Sequence, residues 1–295
     1  MRNTTRRTYI IIFLIVAFFA GLGIMLYGFI TDGDDWVSDR SNALIYKGGE
    51  LTVAGTIYDS DGEILVSTEN GQRKYNSNYN KRLSTLHVVG DSAGYIATGV
   101  QTLYRSNLIG YNFVDGIYST LTSDEGVDIK LTIDADICAE AYSAMNGNKG
   151  TVTVYNYETG EVVCMVSAPT YDPQNKPKDI DTNTSGRYDG IYLNRAITGV
   201  FTPGSTFKVV TAVCAIENIP DIYSRKFKCT GKKTFGKGDV ICNGVHGTLN
   251  FERALNVSCN SVFSELANEV GKDKLTQTVR ALGFGKNITI SRRKQ

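Results

Sequence analysis

The hydrophobic pattern along the chain changes character three times. Residues 9–30, YIIIFLIVAFFAGLGIMLYGFI, carry no charged side chain. As a helix they would be about 33 Å long, enough to cross the apolar layer of a bilayer. Residues 51–128 break into short apolar runs separated by Gly, Asn, Ser and Asp. In LTVAGTIYDSDGEILVST two such runs meet at the turn signal DSDG, 59–62. From residue 129 the periods lengthen. IKLTIDADICAEAYSAMNG opens extended and becomes a helix capped by Thr132 or Asp134, with Ile137, Ala141, Ala144 and Met145 on one face and Gly147 at its end. GTVTVYNYETGEVVCMVSAPTYDP then reads as two strands turning at 157–160, the second apolar on both faces and therefore expected inside a covered sheet.

Further on, FTPGSTFK, 201–208, breaks the chain at Pro203 and Gly204 and runs straight into the apolar VVTAVCAI. A helix starting there puts Ser205 and Lys208 on one face of its first turn. The helix N-terminus favours developing negative charge, and a partly desolvated amine can act as base toward the hydroxyl. The apolar run 209–216 anchors that helix. ALNVSCNSVFSELANEVG gives one helix through Phe251, Ala254 and Leu255 and another through Val262, Phe263, Leu266, Ala267 and Val270, with Ser258-Cys-Asn260 between them. That loop presents a hydroxyl and an amide; its competing reading is an N-cap by Ser258 or Asn260. Ser291-Arg-Arg-Lys294 repeats the Ser-x-x-Lys spacing without an anchoring helix, and no role is assigned to it. His87 and His246 lack the sequence context of a serine-histidine triad.

Composition narrows the setting. The 295 residues include 31 basic and 30 acidic side chains, a net charge of +1, which points neither to nucleic acid nor to an anionic surface. Arg2, Arg6 and Arg7 precede the apolar span and aspartates follow it, which predicts a single-pass membrane anchor with a cytoplasmic N-terminus and the bulk of the chain outside. The span is longer than a signal-peptide core. Of six cysteines, Cys138, Cys164, Cys214 and Cys259 read as small core residues. Cys229 and Cys242 bracket the Gly/Lys-rich TGKKTFGKGDVI and read as a disulfide or as two unpaired thiols. A zinc site with His246 lacks a fourth ligand nearby, so neither metal nor cofactor is expected.

Taken together, these stretches resemble the anchored, monofunctional (class B) penicillin-binding proteins. The likeness runs from the anchor through residue 290: GTIYDSDGEIL resembles the entry to the family's pedestal, KGTVTVYNYETGEVVCMVSAPTYDPQ its first transpeptidase strands, and NRAITGVFTPGSTFK and HGTLNFERALNVSCN its first two active-site motifs. The resemblance implies an α+β fold: an anchor over 1–30, a tether and β-rich pedestal over 31–128, and a penicillin-binding, serine β-lactamase-like transpeptidase domain over 129–295. It implies Ser205 as acylated nucleophile, Lys208 as base, Ser258 as proton shuttle and Asn260 as a substrate-binding amide. The reaction implied is D,D-transpeptidation of D-Ala-D-Ala peptidoglycan stem peptides, with β-lactams as inhibitors, a polytopic glycan polymerase as partner and no nucleic acid. No Lys-Thr/Ser-Gly triplet, the family's third motif, follows Asn260, so the domain is expected to be an incomplete, C-terminally truncated one. Two other readings stand beside it: a non-catalytic, membrane-anchored wall-binding scaffold, and a β-lactam sensor or serine β-lactamase, which the long pedestal disfavours.

Overall fold

The computed structural model describes residues 2–112, 114–117, 126–236 and 238–287; the Ser291-to-Lys294 repeat lies outside them. The fold divides into two compact units, Met1–Val200 and Phe201–Gln295. That division falls well beyond the 128/129 boundary expected from the sequence.

The first unit opens with helix α1, Arg2–Val37. Residues 7–37 form a span long and apolar enough to cross a membrane. The helix passes the expected start of the tether at 31 because no proline interrupts it, and it closes where the Ser38 hydroxyl donates to the Asp34 carbonyl (2.6 Å). Two short strands follow, β1 (Tyr46–Lys47) and β2 (Glu50–Leu51). The DSDG turn connects β3 (Ile57–Tyr58) to β4 (Ile64–Glu69). Gly62 supplies its left-handed residue at φ 87°, and Asp59 Oδ1 accepts from the N–H groups of Asp61 and Glu63. With β5 (Gln72–Tyr75) and β6 (Ile129–Lys130) these strands make a four-stranded sheet in the order β5-β4-β3-β6, its last pair parallel.

The pedestal is not simply β-rich. It contains helix α2, Tyr79–Val89, capped by Asn78, and the single-turn helices α3 (Val100–Leu103) and α4 (Arg105–Leu108). His87 is a fully buried member of α2. Helix α5, Ala135–Ala144, is capped by Asp134, whose carboxylate accepts from the N–H groups of Asp136 and Ile137. Its inward face is Ala135, Cys138, Ala141, Tyr142 and Met145, while Ile137 points to solvent. The expected stripe was thus rotated by about one residue, or about 100°.

Strands β7 (Gly150–Tyr155) and β8 (Val162–Ala168) form the expected antiparallel hairpin, with Gly160 in its turn at φ 77°. Residues 164–168 of β8 are buried, yet among the described residues the hairpin is a two-stranded sheet rather than the interior of a wider one. Its burial comes from packing: Cys164 and Val166 share one core with Ile57, Val66, Leu108, Ile133 and Cys138. This shared core joins the hairpin to the pedestal and explains why the unit extends past 128. A single-turn helix, α6 (Arg195–Thr198), closes the unit.

The second unit is helical with short strand pairs. Helices α7 (Phe207–Asn218), α8 (Phe251–Asn256) and α9 (Asn260–Ala281) carry it. The long helix α9 breaks at Gly271, φ 79°. Between α7 and α8 lie β9 (Phe227–Cys229), β10 (Lys232–Phe235), β11 (Gly238–Ile241) and β12 (Gly247–Leu249). These pair as two antiparallel couples, β9 with β12 and β10 with β11. Ala212, Cys214, Ala215, Ile219, Phe227, Phe251, Ala254, Val262, Phe263, Leu266 and Val270 form the core. Burying each large side chain there contributes about 1.5–3 kcal/mol.

Candidate active site

The break at 203–204 is built as its residues dictate. Proline fixes φ near its ring-imposed value, −65°, and Gly204 takes φ 55°, a region costly for residues with a Cβ. A single 3-10 turn, Gly204–Thr206, then feeds α7. Val210, Thr211, Ala212, Cys214 and Ala215 hold α7 in the core. Val209 and Ile216 are exposed, so only one face of the apolar run serves as the anchor.

On the first turn the Lys208 amine lies 3.1 Å from Ser205 Oγ. It also lies 2.8 Å from Ser258 Oγ, 2.7 Å from the Ser258 carbonyl oxygen and 2.6 Å from Asn260 Oδ1. Ser258 Oγ is 3.0 Å from Ser205 Oγ, which closes a triangle of two hydroxyls and one amine. All four residues predicted from the sequence therefore meet in one place. The partners of Lys208 here are uncharged oxygens, and burial pushes its pKa below the usual 10.5 against the raising influence of Cys242 and Cys259.

The N-cap reading of Ser258 and Asn260 fails. The cap of α9 is Cys259, which makes no side-chain capping bond, while the Asn260 amide donates instead to the Ile241 carbonyl (2.9 Å). Ser258 sits at φ 52°, left-handed for a residue with a Cβ. Such a conformation costs about 1–3 kcal/mol and collects at functional turns. It aims the carbonyl and hydroxyl of Ser258 together at Lys208.

Behind this turn is a group that sequence reasoning missed. Cys229, Cys242, Cys259 and His246 bring three sulfurs and an imidazole within 4.8 Å of one another. All six cysteines are free, so Cys229 and Cys242 are unpaired thiols rather than the possible disulfide: both sulfurs turn toward the same His246 ring. The fourth donor judged absent from the sequence is Cys259. It comes from the far side of α8, and its neighbours Ser258 and Asn260 had claimed the attention.

The donor spacing can be tested against a metal. A tetrahedral ion with bonds of about 2.3 Å to sulfur and about 2.0–2.1 Å to nitrogen places sulfurs roughly 3.8 Å apart and sulfur and nitrogen roughly 3.6 Å apart. The Cys242–Cys259 sulfurs are 3.7 Å apart, and His246 Nδ1 lies 3.6 Å from Cys229 Sγ and 3.5 Å from Cys242 Sγ. These donors fit zinc. Burial opposes ionisation of Cys229, but N–H groups of His246 and Gly231 outweigh it and bring that thiol down to about 6. Burial and its sulfur neighbours push Cys259 up to about 11. The Asn260 N–H donates to Cys242 Sγ (3.3 Å), which ties the thiol cluster to the turn that faces Lys208.

Residues 150–294 match the family described as the penicillin binding protein transpeptidase domain. The peptidoglycan D,D-transpeptidase MrdA of Acinetobacter baumannii is 28% identical over 56% of the chain and 26% of its own length. The peptidoglycan D,D-transpeptidase PbpA of Mycolicibacterium smegmatis is 27% identical over 80% of the chain and 52% of its own length. A crystal structure of the D,D-transpeptidase domain of a peptidoglycan glycosyltransferase from Eggerthella lenta is 29% identical, with a TM-score of 0.66, covering 81% of the chain and 55% of that structure. The chain thus spans between about a quarter and about half of the length of these relatives.

Proposed function

Because the chain belongs to the penicillin-binding transpeptidases, we propose that it carries the acyl-forming half of a serine D,D-transpeptidase site. The observation that carries this reading is the contact set of Lys208. The Ser258 carbonyl and Asn260 Oδ1 can only accept, so they take two N–H bonds of the amine. The amine's remaining position faces the hydroxyls of Ser205 and Ser258. In the neutral amine that position is a lone pair, and the lowered pKa favours this form.

Lys208 then takes the Ser205 proton as Oγ attacks the carbonyl carbon of the D-Ala-D-Ala bond. The C–N bond breaks, and Ser258 relays the proton to the departing amine. A second stem-peptide amine accepts the acyl group. A β-lactam would leave its opened ring on Ser205. In this reading Arg2, Arg6 and Arg7 at the start of α1 stay in the cytoplasm and the chain beyond α1 lies outside, where a polytopic glycan polymerase would supply the glycan strands.

The thiol-imidazole tetrad adds a second element to the proposal, a structural zinc held by Cys229, Cys242, His246 and Cys259. Its support is the match of three of the six donor spacings to a tetrahedron, with all four donor atoms within 4.8 Å of one another.

Labelling with a fluorescent penicillin, beside Ser205→Ala and with metal counted by mass spectrometry, tests both parts. Stable labelling lost in the variant is the expected result. No labelling would favour a wall-binding scaffold, and rapid release of the label a β-lactamase. A metal-free chain that takes up no zinc would overturn the tetrad reading alone.

A further inference from the structure

The tetrad is joined to the proposed nucleophile through one short turn. Cys259 is the middle residue of Ser258-Cys-Asn260: its neighbours bond Lys208 on one side, while its own sulfur faces Cys242 on the other. The two sulfurs are 3.7 Å apart, against about 2.05 Å in a disulfide. Closing that bond draws them together by roughly 1.6 Å, and the strand end carrying Cys242 and the turn carrying Cys259 must absorb the movement. Ser258 has little slack to give, being already at φ 52°. The Asn260 N–H would also lose Cys242 Sγ as its acceptor. The thiols are buried, but Ile241, next to Cys242 in the chain, and Val245, next to His246, are exposed.

We infer that Cys242 and Cys259 form a redox switch on the acylation site, resting on the acyl-transfer and zinc readings above. Loaded with zinc, the tetrad holds the turn in place and the site is competent. A peroxide-class oxidant converts the two thiolates into a disulfide: the S–S bond forms, the O–O bond breaks, and two electrons pass from the sulfurs to the peroxide oxygens, which leave as two hydroxide ions. The zinc, deprived of two ligands, goes to solvent. The turn then no longer presents Ser258 and Asn260 to Lys208. A dithiol reductant reverses the bond, and zinc rebinds. Neither sulfur touches the reacting atoms; both act through the turn.

The full 295-residue chain in detergent, as purified and after zinc loading, is treated with hydrogen peroxide. Three readouts follow: cross-linked peptides by mass spectrometry, zinc released to a chromophoric chelator, and fluorescent-penicillin labelling. The expected result is a Cys242–Cys259 cross-link, zinc released with it, and labelling slowed by about 10²-fold or more, all recovered with dithiothreitol and zinc. Cys229→Ser, which leaves the pair intact, should still cross-link. A chain that holds zinc and labels but forms no such cross-link, or one that cross-links with labelling unchanged, overturns the switch and leaves the other readings standing. A metal-free chain that cross-links and loses labelling overturns the zinc reading and leaves the switch. A chain that never labels removes the acyl-transfer reading and the switch with it, and zinc uptake then tests the tetrad by itself.

Discussion

Lys81 in the first unit and Lys208 in the second are both drawn out of water, and they respond in opposite directions. Burial alone would lower the pKa of Lys81, but hydrogen bonds to Asp136 and Glu63 outweigh it, so the amine is held above its usual value. Its nitrogen sits 2.6 Å from Glu63 and 2.8 Å from Asp136. Among the described residues the hydrogen-bond partners of Lys208 are oxygens of serine and asparagine, and burial outweighs the raising influence of Cys242 and Cys259. The first arrangement keeps a cation as a structural tie between α2, α5 and the β3–β4 turn. The second prepares an amine to give up its proton. Desolvation is common to both, and the charge of the partner decides between a strut and a base. The two histidines divide along the same line. His87 donates from Nε2 to the Ile191 carbonyl inside the first unit, whereas His246 turns Nδ1 to two sulfurs.

The largest effect should come from inverting that difference. Lys208→Met removes the base and should slow penicillin labelling by about 10²–10⁴-fold, while Lys81→Met should leave it within a few-fold. Comparable losses in both would erase the distinction. For the same reason labelling should quicken as pH rises toward the pKa of Lys208, and that midpoint should lie below 10.5; an ordinary lysine midpoint would count against the neutral amine.

Next in size is packing. Leu266 is fully buried in the core that holds α7 to α9, and Leu266→Ala should cost about 2–5 kcal/mol. Urea titration followed by proteolysis should show the loss in the second unit.

A third test uses acid. Burial lowers His87 from 6.5 to about 4, so the folded chain resists a proton that the unfolded chain accepts. The stability this group contributes is complete above about 6.5 and is lost as pH falls toward 4. The total is about 3 kcal/mol, at roughly 1.4 kcal/mol per pH unit. His87→Gln should flatten the stability profile in that window. The smallest effect is the strut itself: Lys81→Met should cost about 1 kcal/mol by thermal melting, because Asp136 is largely exposed and screened.

The sequence was most legible where chemistry and local structure coincide. Pro203-Gly204 before an apolar run placed Ser205 and Lys208 on one turn, and two helical stripes left Ser258-Cys-Asn260 as the joint between α8 and α9. Helix α2 was also written there, in the Asn78 cap, the Leu83, Leu86 and Val89 spacing and the Gly90 stop. It went unread because Asn, Ser and Tyr dominate the surrounding stretch. The depth of β8 could be inferred from its apolar run, but not what covers it, since burial by helices and burial by neighbouring strands leave the same trace. Cys259 was the hardest. A ligand set closed by folding has no sequence spacing to betray it, and only the pairing of β9 with β12 and the return of α8 bring its sulfur to the others.

The two-sided turn has a consequence for how such a chain can vary. A graft that exchanges the segment from β9 through β12 with that of a relative carries Cys229, Cys242 and His246 with it but leaves residue 259 behind. Positions 229, 242, 246 and 259 should therefore drift as a block across homologous sequences, even though the last of them lies within the motif that faces the nucleophile. A designer who treats that motif as a three-letter cassette would be cutting through a joint whose other half lies between thirteen and thirty residues upstream.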